Sequence, residues 1–372
     1  ITGGDFTREL LQWLDQGEDF RNVRSPEEWE AFVALCESQL GFNPEQDGPI
    51  VAASTLVSRD GPWKAVWDRF CEAPSRYPHV PQRIRSVEPP KDNLLWYADR
   101  EGTFEAWPQW NDEQEGLLRN ALLDLANKPP HEARAQLLEL EAQHSRRRHT
   151  VWADIGEAPL ALAMEPLSQL ARATETGLNA GTIEDVVAGY TRVGWRADDA
   201  ALRAMAAVHS QQDIEAVTAA IRAVYLPWAD DAAHYLQKIT ETHGYPGDTV
   251  TQGQESPPIP GECVLFVDGL RFDTAKRLAA MLQRRGLAIG EEIVWAAFPT
   301  ITETAKAAVS PIRRLIRGND ASVDYVPQVG ETGQTLTPYH FKRLLREAGW
   351  QVPEGNDLGD PAGSAWFEFG NL

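Results

Sequence analysis

Two residues in the C-terminal third have types and positions suited to chemistry: Asp268 and Thr302. The run Cys263-Val264-Leu265-Phe266-Val267 is apolar and mostly β-favouring, and predicts a strand buried on both faces that ends at Asp268 and the conformationally free Gly269. A carboxylate at the carboxyl end of such a strand sits where open α/β sheets bind ligands, and is placed to hold a metal ion. Asp before Gly is also a turn pair that caps a following helix. Phe272, Ala275, Leu278, Ala279 and Leu282 recur at helical spacing up to Gly286. A second strand is predicted at Ile293-Val294-Trp295-Ala296-Ala297, ending in Phe298 to Thr304 before a helix from Ala305 to Val309, with Thr302 at or near that helix's N-terminus. Free N–H groups and the helix dipole favour an anion there, so the Thr302 hydroxyl can meet a phosphate, become a metal-bound alkoxide, or act as a plain cap.

The neighbouring polar residues are read alongside. Arg271 either pairs with Asp273 or Asp268 or contacts a phosphate. Asp273 is read as a first-turn helix residue rather than a ligand, and Lys306, one turn after Thr302, either approaches a phosphate or, as the favoured reading, is a solvated cation.

Val267-Asp268-Gly269-Leu270-Arg271-Phe272-Asp273 and Pro299-Thr300-Ile301-Thr302, in that order, resemble the PglZ domain, a branch of the alkaline phosphatase superfamily found in bacterial BREX phage-defence systems. The resemblance implies that Asp268 is a zinc ligand and Thr302 both ligand and nucleophile. Thr300 matches the Pro-Thr-x-Thr pattern and, with Arg271, is the candidate phosphate contact. A zinc-dependent phosphodiesterase or nuclease is implied, with two metals in the full-length protein, acting in antiviral defence on a phosphodiester, nucleotide or nucleic-acid substrate beside other BREX-type proteins. The alternative is a non-catalytic scaffold that binds the system's methyltransferase or ATPase. The family's remaining ligands, an Asp followed by Gly-His and a later His, belong after a segment resembling Ala365-Trp366-Phe367-Glu368-Phe369-Gly370-Asn371-Leu372. With Ile1 at its start, the sequence is therefore read as an internal fragment holding the first half of the site, without bound metal or activity of its own.

The 372 residues, 42% of them hydrophobic, suit a globular protein of more than one domain. The expected fold class is multidomain α/β: a mostly α-helical N-terminal region, then the first half of an alkaline-phosphatase-like α/β domain. The expected boundaries are 1–110 (mixed, mainly helical), 111–243 (helical bundle), 244–261 (linker) and 262–372 (partial α/β domain). No run approaches the roughly 18 apolar residues of a membrane span, so a soluble, cytoplasmic protein is predicted. Cys36, Cys71 and Cys263 are scattered and expected to be reduced, and the eight His residues lack zinc-helix spacing. Residues 259–372 hold 12 Lys/Arg against 14 Asp/Glu, which leaves 23 against 41 in residues 1–258. The acidic excess of the N-terminal two thirds repels phosphate backbones and suits a basic protein partner.

Ser25-Pro26-Glu27-Glu28 combines a capping box with Pro at the first helical position, ahead of the apolar face Trp29, Phe32, Val33, Cys36 and Leu40. Ile50 to Ala53 is a short strand or a helix start. The proline density from Pro74 to Pro90 precludes a regular element and suggests a loop packed through Tyr77, Val80 and Ile84. Leu94 to Tyr97 and Val323 to Val326 are predicted strands. Trp107-Pro108-Gln109-Trp110 is either an aromatic binding surface or core packing. Ser145-Arg146-Arg147-Arg148-His149 is either a phosphate site or a helix end whose dipole favours cations. A chain turn is predicted at Tyr225-Leu226-Pro227-Trp228.

Overall fold

The computed structural model describes residues 6–89, 104–247, 257–318 and 326–369. The predicted strand at Leu94 to Tyr97, most of that at Val323 to Val326, and residues 248–256 of the linker lie outside these. The chain divides into two compact units, residues 1–178 with 189–232, and residues 179–188 with 233–372. No helix among the described residues is long and apolar enough to cross a membrane.

In the first unit, α1 (Phe6–Gln16), α2 (Glu18–Asn22), α3 (Pro26–Leu40), α4 (Gly48–Ser58), α5 (Trp63–Glu72) and α6 (Val80–Arg85) follow one another closely. The start of α3 is as its sequence dictates: the Ser25 hydroxyl accepts from Glu28 N, the Glu28 carboxylate accepts from Ser25 N, and Gly41 closes the helix in the left-handed conformation at φ 63°. Ile50 to Ala53 is helical. The Pro74–Pro90 stretch corrects its reading as loop. It holds a 3-10 turn, Pro74–Arg76, and α6, because Pro74 and Pro81 fall in first turns, where the missing N–H costs nothing. Tyr77, Val80 and Ile84 are buried, as the packed-loop reading required.

The helices continue as α7 (Pro108–Asp124), α8 (Pro130–His144), α9 (Val151–Asp154), α10 (Pro159–Ala173), α11 (Ile183–Gly189), α12 (Trp195–Ala206) and α13 (Gln211–His243). A π-helical turn, Tyr190–Gly194, joins α11 to α12. Trp107 and Trp110 are buried in a core shared with Leu10, Phe70 and Trp152, so these indoles are packing and not an open surface. A second core gathers Leu118 and Leu137 with Leu167, Ala200 and Val217. The turn predicted at Pro227 does not occur. Proline removes one helix hydrogen bond, yet α13 runs through it, held by buried Val224 and by Trp228, whose Nε1 donates to Thr176 O at 2.9 Å.

In the second unit, β1 (Cys263–Val267) leads through α14 (Phe272–Arg284), α15 (Thr302–Val309), β2 (Ile316–Arg317), β3 (Gln328–Val329) and α16 (Pro338–Glu347) to β4 (Ala365–Phe369). β1 and β4 pair in parallel, Cys263 opposite Ala365 and Val267 opposite Phe369, while β2 and β3 pair antiparallel. Val264 and Phe266 pack on a core of Trp366, Phe341, Leu345 and Ile316. Cys263 and Leu265 are exposed, so β1 is buried on one face and not two. On α14 only Asp273 is fully buried, and Leu278 and Met281 are exposed. The strand predicted at Ile293 to Ala297 does not form, because a strand exists only through a ladder and no edge among the described residues takes this segment up; Ile293 and Val294 are exposed.

Candidate functional site

Parallel pairing fixes the geometry of the site. β1 and β4 end at the same edge, where Asp268 N donates to Phe369 O at 3.0 Å and the chain then turns at Gly269, φ 66°. That turn frees the half-buried Asp268 carboxylate from the ladder. Thr302, exposed, is the first residue of α15, and its hydroxyl donates to Asp268 Oδ2 at 3.1 Å and Oδ1 at 3.3 Å. The structure thus brings together the two residues that sequence singled out. The residue in the cap position is Ile301, with no side-chain cap, so the plain-cap reading of Thr302 is set aside.

The other candidates divide. Arg271 Nε donates to Asp273 Oδ1 at 3.0 Å, an internal pair at the start of α14. Thr300 is exposed and makes no hydrogen bond among the described residues. Lys306 corrects its reading as solvated: its Nζ meets Glu368 Oε2 of β4 at 2.5 Å and lies 4.9 Å from the centre of the Phe341 ring, which ties α15 to the sheet. Two polar atoms here were not foreseen. Asp273 Oδ2 and Thr304 Oγ1 are buried without a hydrogen-bond partner among the described residues. An orphaned buried oxygen is costly and uncommon, and burial of a first-turn Asp carries no sequence signal.

A hydroxyl held by a carboxylate at a helix start is an arrangement that can serve as a nucleophile–base pair. The separations lie at the long end of hydrogen-bond reach for proton transfer. For zinc the donor set falls short. Asp268 and Thr302 supply two protein donors where a site needs three or more, and among the described residues no group of three His, Cys, Asp or Glu residues is placed to hold a metal ion. The described residues do not fit a complete zinc site.

The basic run is no phosphate site. Arg146 pairs with Glu105 at 2.9 Å, Arg147 with Glu115 at 2.7 Å and Arg148 with Glu141 at 2.7 Å. Arg147 is fully buried and also donates to Asn111 Oδ1 at 2.7 Å, while Glu115 Oε2 accepts from Leu160 N at 2.8 Å at the start of α10. Burial, with Arg147 beside it, pushes the His144 imidazole down to about 4. Partners more than thirty residues apart gave no sequence signal for this cluster.

No family model, curated protein or solved structure matches the chain.

Proposed function

We propose that the chain carries part of a PglZ-like phosphoryl-transfer site, with Thr302 as nucleophile. The observation that supports this reading most is the Thr302–Asp268 hydrogen bond at the carboxyl edge of a parallel strand pair. Thr302 Oγ1 attacks phosphorus, its proton passes to Asp268, and the bond from phosphorus to the leaving oxygen breaks as that oxygen takes the proton. Water then cleaves the Thr302–phosphoryl ester and restores the hydroxyl. The backbone N–H groups opening α15 face the transferred group. Zinc remains an expectation of the resemblance, since the described residues do not complete a site for it. The substrate class proposed is a phosphodiester, as in nucleotides or nucleic acid, and the setting is cytoplasmic antiviral defence beside other BREX-type proteins.

A scaffold that binds the methyltransferase or ATPase is the second reading. It is favoured by the 41 acidic against 23 basic residues of positions 1–258, at least four of whose arginines are already committed to carboxylates. Thr302→Ala in the intact protein tests between them. The enzyme reading expects loss of phosphodiester cleavage and of phage restriction with folding unchanged. Full restriction by a variant that no longer cleaves would make the scaffold the working part of the protein.

A further inference from the structure

Away from Asp268 and Thr302, the first unit holds a groove of about 440 Å³, within the roughly 300–1,000 Å³ range of small-molecule sites. One wall is α10, with Gln169, Arg172 and Ala173; the other is the π turn and the start of α12, with Val193, Trp195, Arg196 and the carboxylate of Asp199. A π turn is rare and is frequently found at functional sites. This one is braced from beneath. Tyr190 Oη donates to Asp198 Oδ2 at 2.6 Å, and Tyr225 Oη donates to Oδ1 of the same buried carboxylate at 2.5 Å. The brace fixes a turn that leaves Val193 exposed and the Trp195 indole half-buried at the groove.

The charges of the groove differ in their commitments. The Asp199 carboxylate is taken up by Arg203, whose Nε donates to Asp199 Oδ2 at 2.8 Å and whose Nη2 donates to Gln169 Oε1. Arg172 and Arg196 are both exposed, and neither meets a carboxylate among the described residues; Arg196 lies 5.8 Å from the centre of the Trp195 ring. In a chain of net charge −20, where Arg85 and the Arg146–Arg148 run are all ion-paired, this is a local positive site with an aromatic floor. Guanidinium groups bind phosphate through paired N–H donors, and an indole stacks on a planar ring.

We propose that this groove binds a small ligand that joins a planar ring to an anionic group, as a mononucleotide does. The ring packs on Trp195 and Val193, and the anion sits between Arg172 and Arg196. This reading does not rest on the Asp268–Thr302 chemistry. The test is calorimetric titration of the whole chain with AMP, adenosine and inorganic phosphate. The same titrations are run on Arg172→Ala/Arg196→Ala, whose fold is checked by circular dichroism, and on Asp268→Ala/Thr302→Ala. AMP is expected to bind one to one, with adenosine and phosphate each at least about tenfold weaker. Because a charge-assisted hydrogen bond is worth about tenfold or more in affinity, the double arginine variant should bind AMP about a hundredfold more weakly. The Asp268→Ala/Thr302→Ala protein should bind it as the wild type does. No AMP binding at millimolar concentration overturns the proposal. So does loss of binding only in the Asp268→Ala/Thr302→Ala protein, or adenosine binding as tightly as AMP.

Discussion

His144 should make the helical unit sensitive to mild acid, and the size of the effect follows from its surroundings. The imidazole is 6% exposed at the end of α8, and its Nδ1 lies 3.3 Å from Arg147 Nη1, so Nδ1 accepts from the guanidinium and the ring is neutral. Protonation would set an imidazolium against a buried cation. Burial and Arg147 therefore hold its pKa down at about 4 against an ordinary 6.5. A folded pKa below the unfolded one means that the unfolded chain binds the extra proton first. Stability is thus full above about pH 6.5 and falls as pH drops toward about 4, where the folded ring also charges. At about 1.4 kcal/mol per pKa unit, the loss across this window is about 3 kcal/mol. His144→Gln keeps an acceptor for Arg147 and removes the titration. Urea unfolding followed by tryptophan fluorescence between pH 7 and 4 should show the wild type losing about 3 kcal/mol more than the variant. Parallel pH profiles for the two proteins, or an NMR titration of His144 near 6.5, would refute the reasoning.

Other expectations follow from the same contacts. Arg147→Ala leaves the Glu115 carboxylate buried beside an empty space and should cost about 3–5 kcal/mol, read from the urea midpoint of the first unit. A cost below about 1 kcal/mol would mean that the pair is solvated. Ser25→Ala removes one half of the capping box and should cost about 1 kcal/mol; an unchanged midpoint would show that the cap carries nothing. Trp366→Ala empties the centre of the second unit's core, where the indole stacks on Phe266 at 6.0 Å between ring centres, and should cost about 3–5 kcal/mol. Residues 1–372 alone, with two donors at Asp268 and Thr302, should hold no tight zinc and turn over no phosphodiester; one equivalent of zinc by metal analysis would contradict this.

Local signals in the sequence survived folding and non-local ones did not. The Ser25/Glu28 box, the proline at the start of α3 and the Gly41 stop are each decided within five residues, and the structure shows them as sequence implies. The edge that joins Asp268 to Thr302 was legible because a strand end and a helix start are local features and a parallel layout does the rest. What sequence could not supply was a neighbour. Leu265 and Leu278 read as apolar faces awaiting cover, yet both are exposed among the described residues. Ile293 to Ala297 has strand composition but no ladder. Prolines misled twice in the same direction: Pro81 lies in the first turn of a helix and Pro227 inside one, and only position in the first turn or tertiary anchoring through Trp228 distinguishes them from breakers. Arg147, in a run that reads as a phosphate site or a cation-favouring helix end, is the most buried arginine of its cluster because Glu115 and Asn111 come to it from another helix.

In the proposed function, the Thr302 hydroxyl attacks phosphorus. Acid-quenching the intact protein during turnover of a phosphodiester, followed by mass spectrometry of its peptides, tests it most directly. The account predicts the substrate's phosphoryl group esterified to Thr302, absent from Asp268→Ala and Thr302→Ala proteins. Turnover in which Thr302 never carries phosphorus, or a Thr302→Ala protein that cleaves at the wild-type rate, would contradict it.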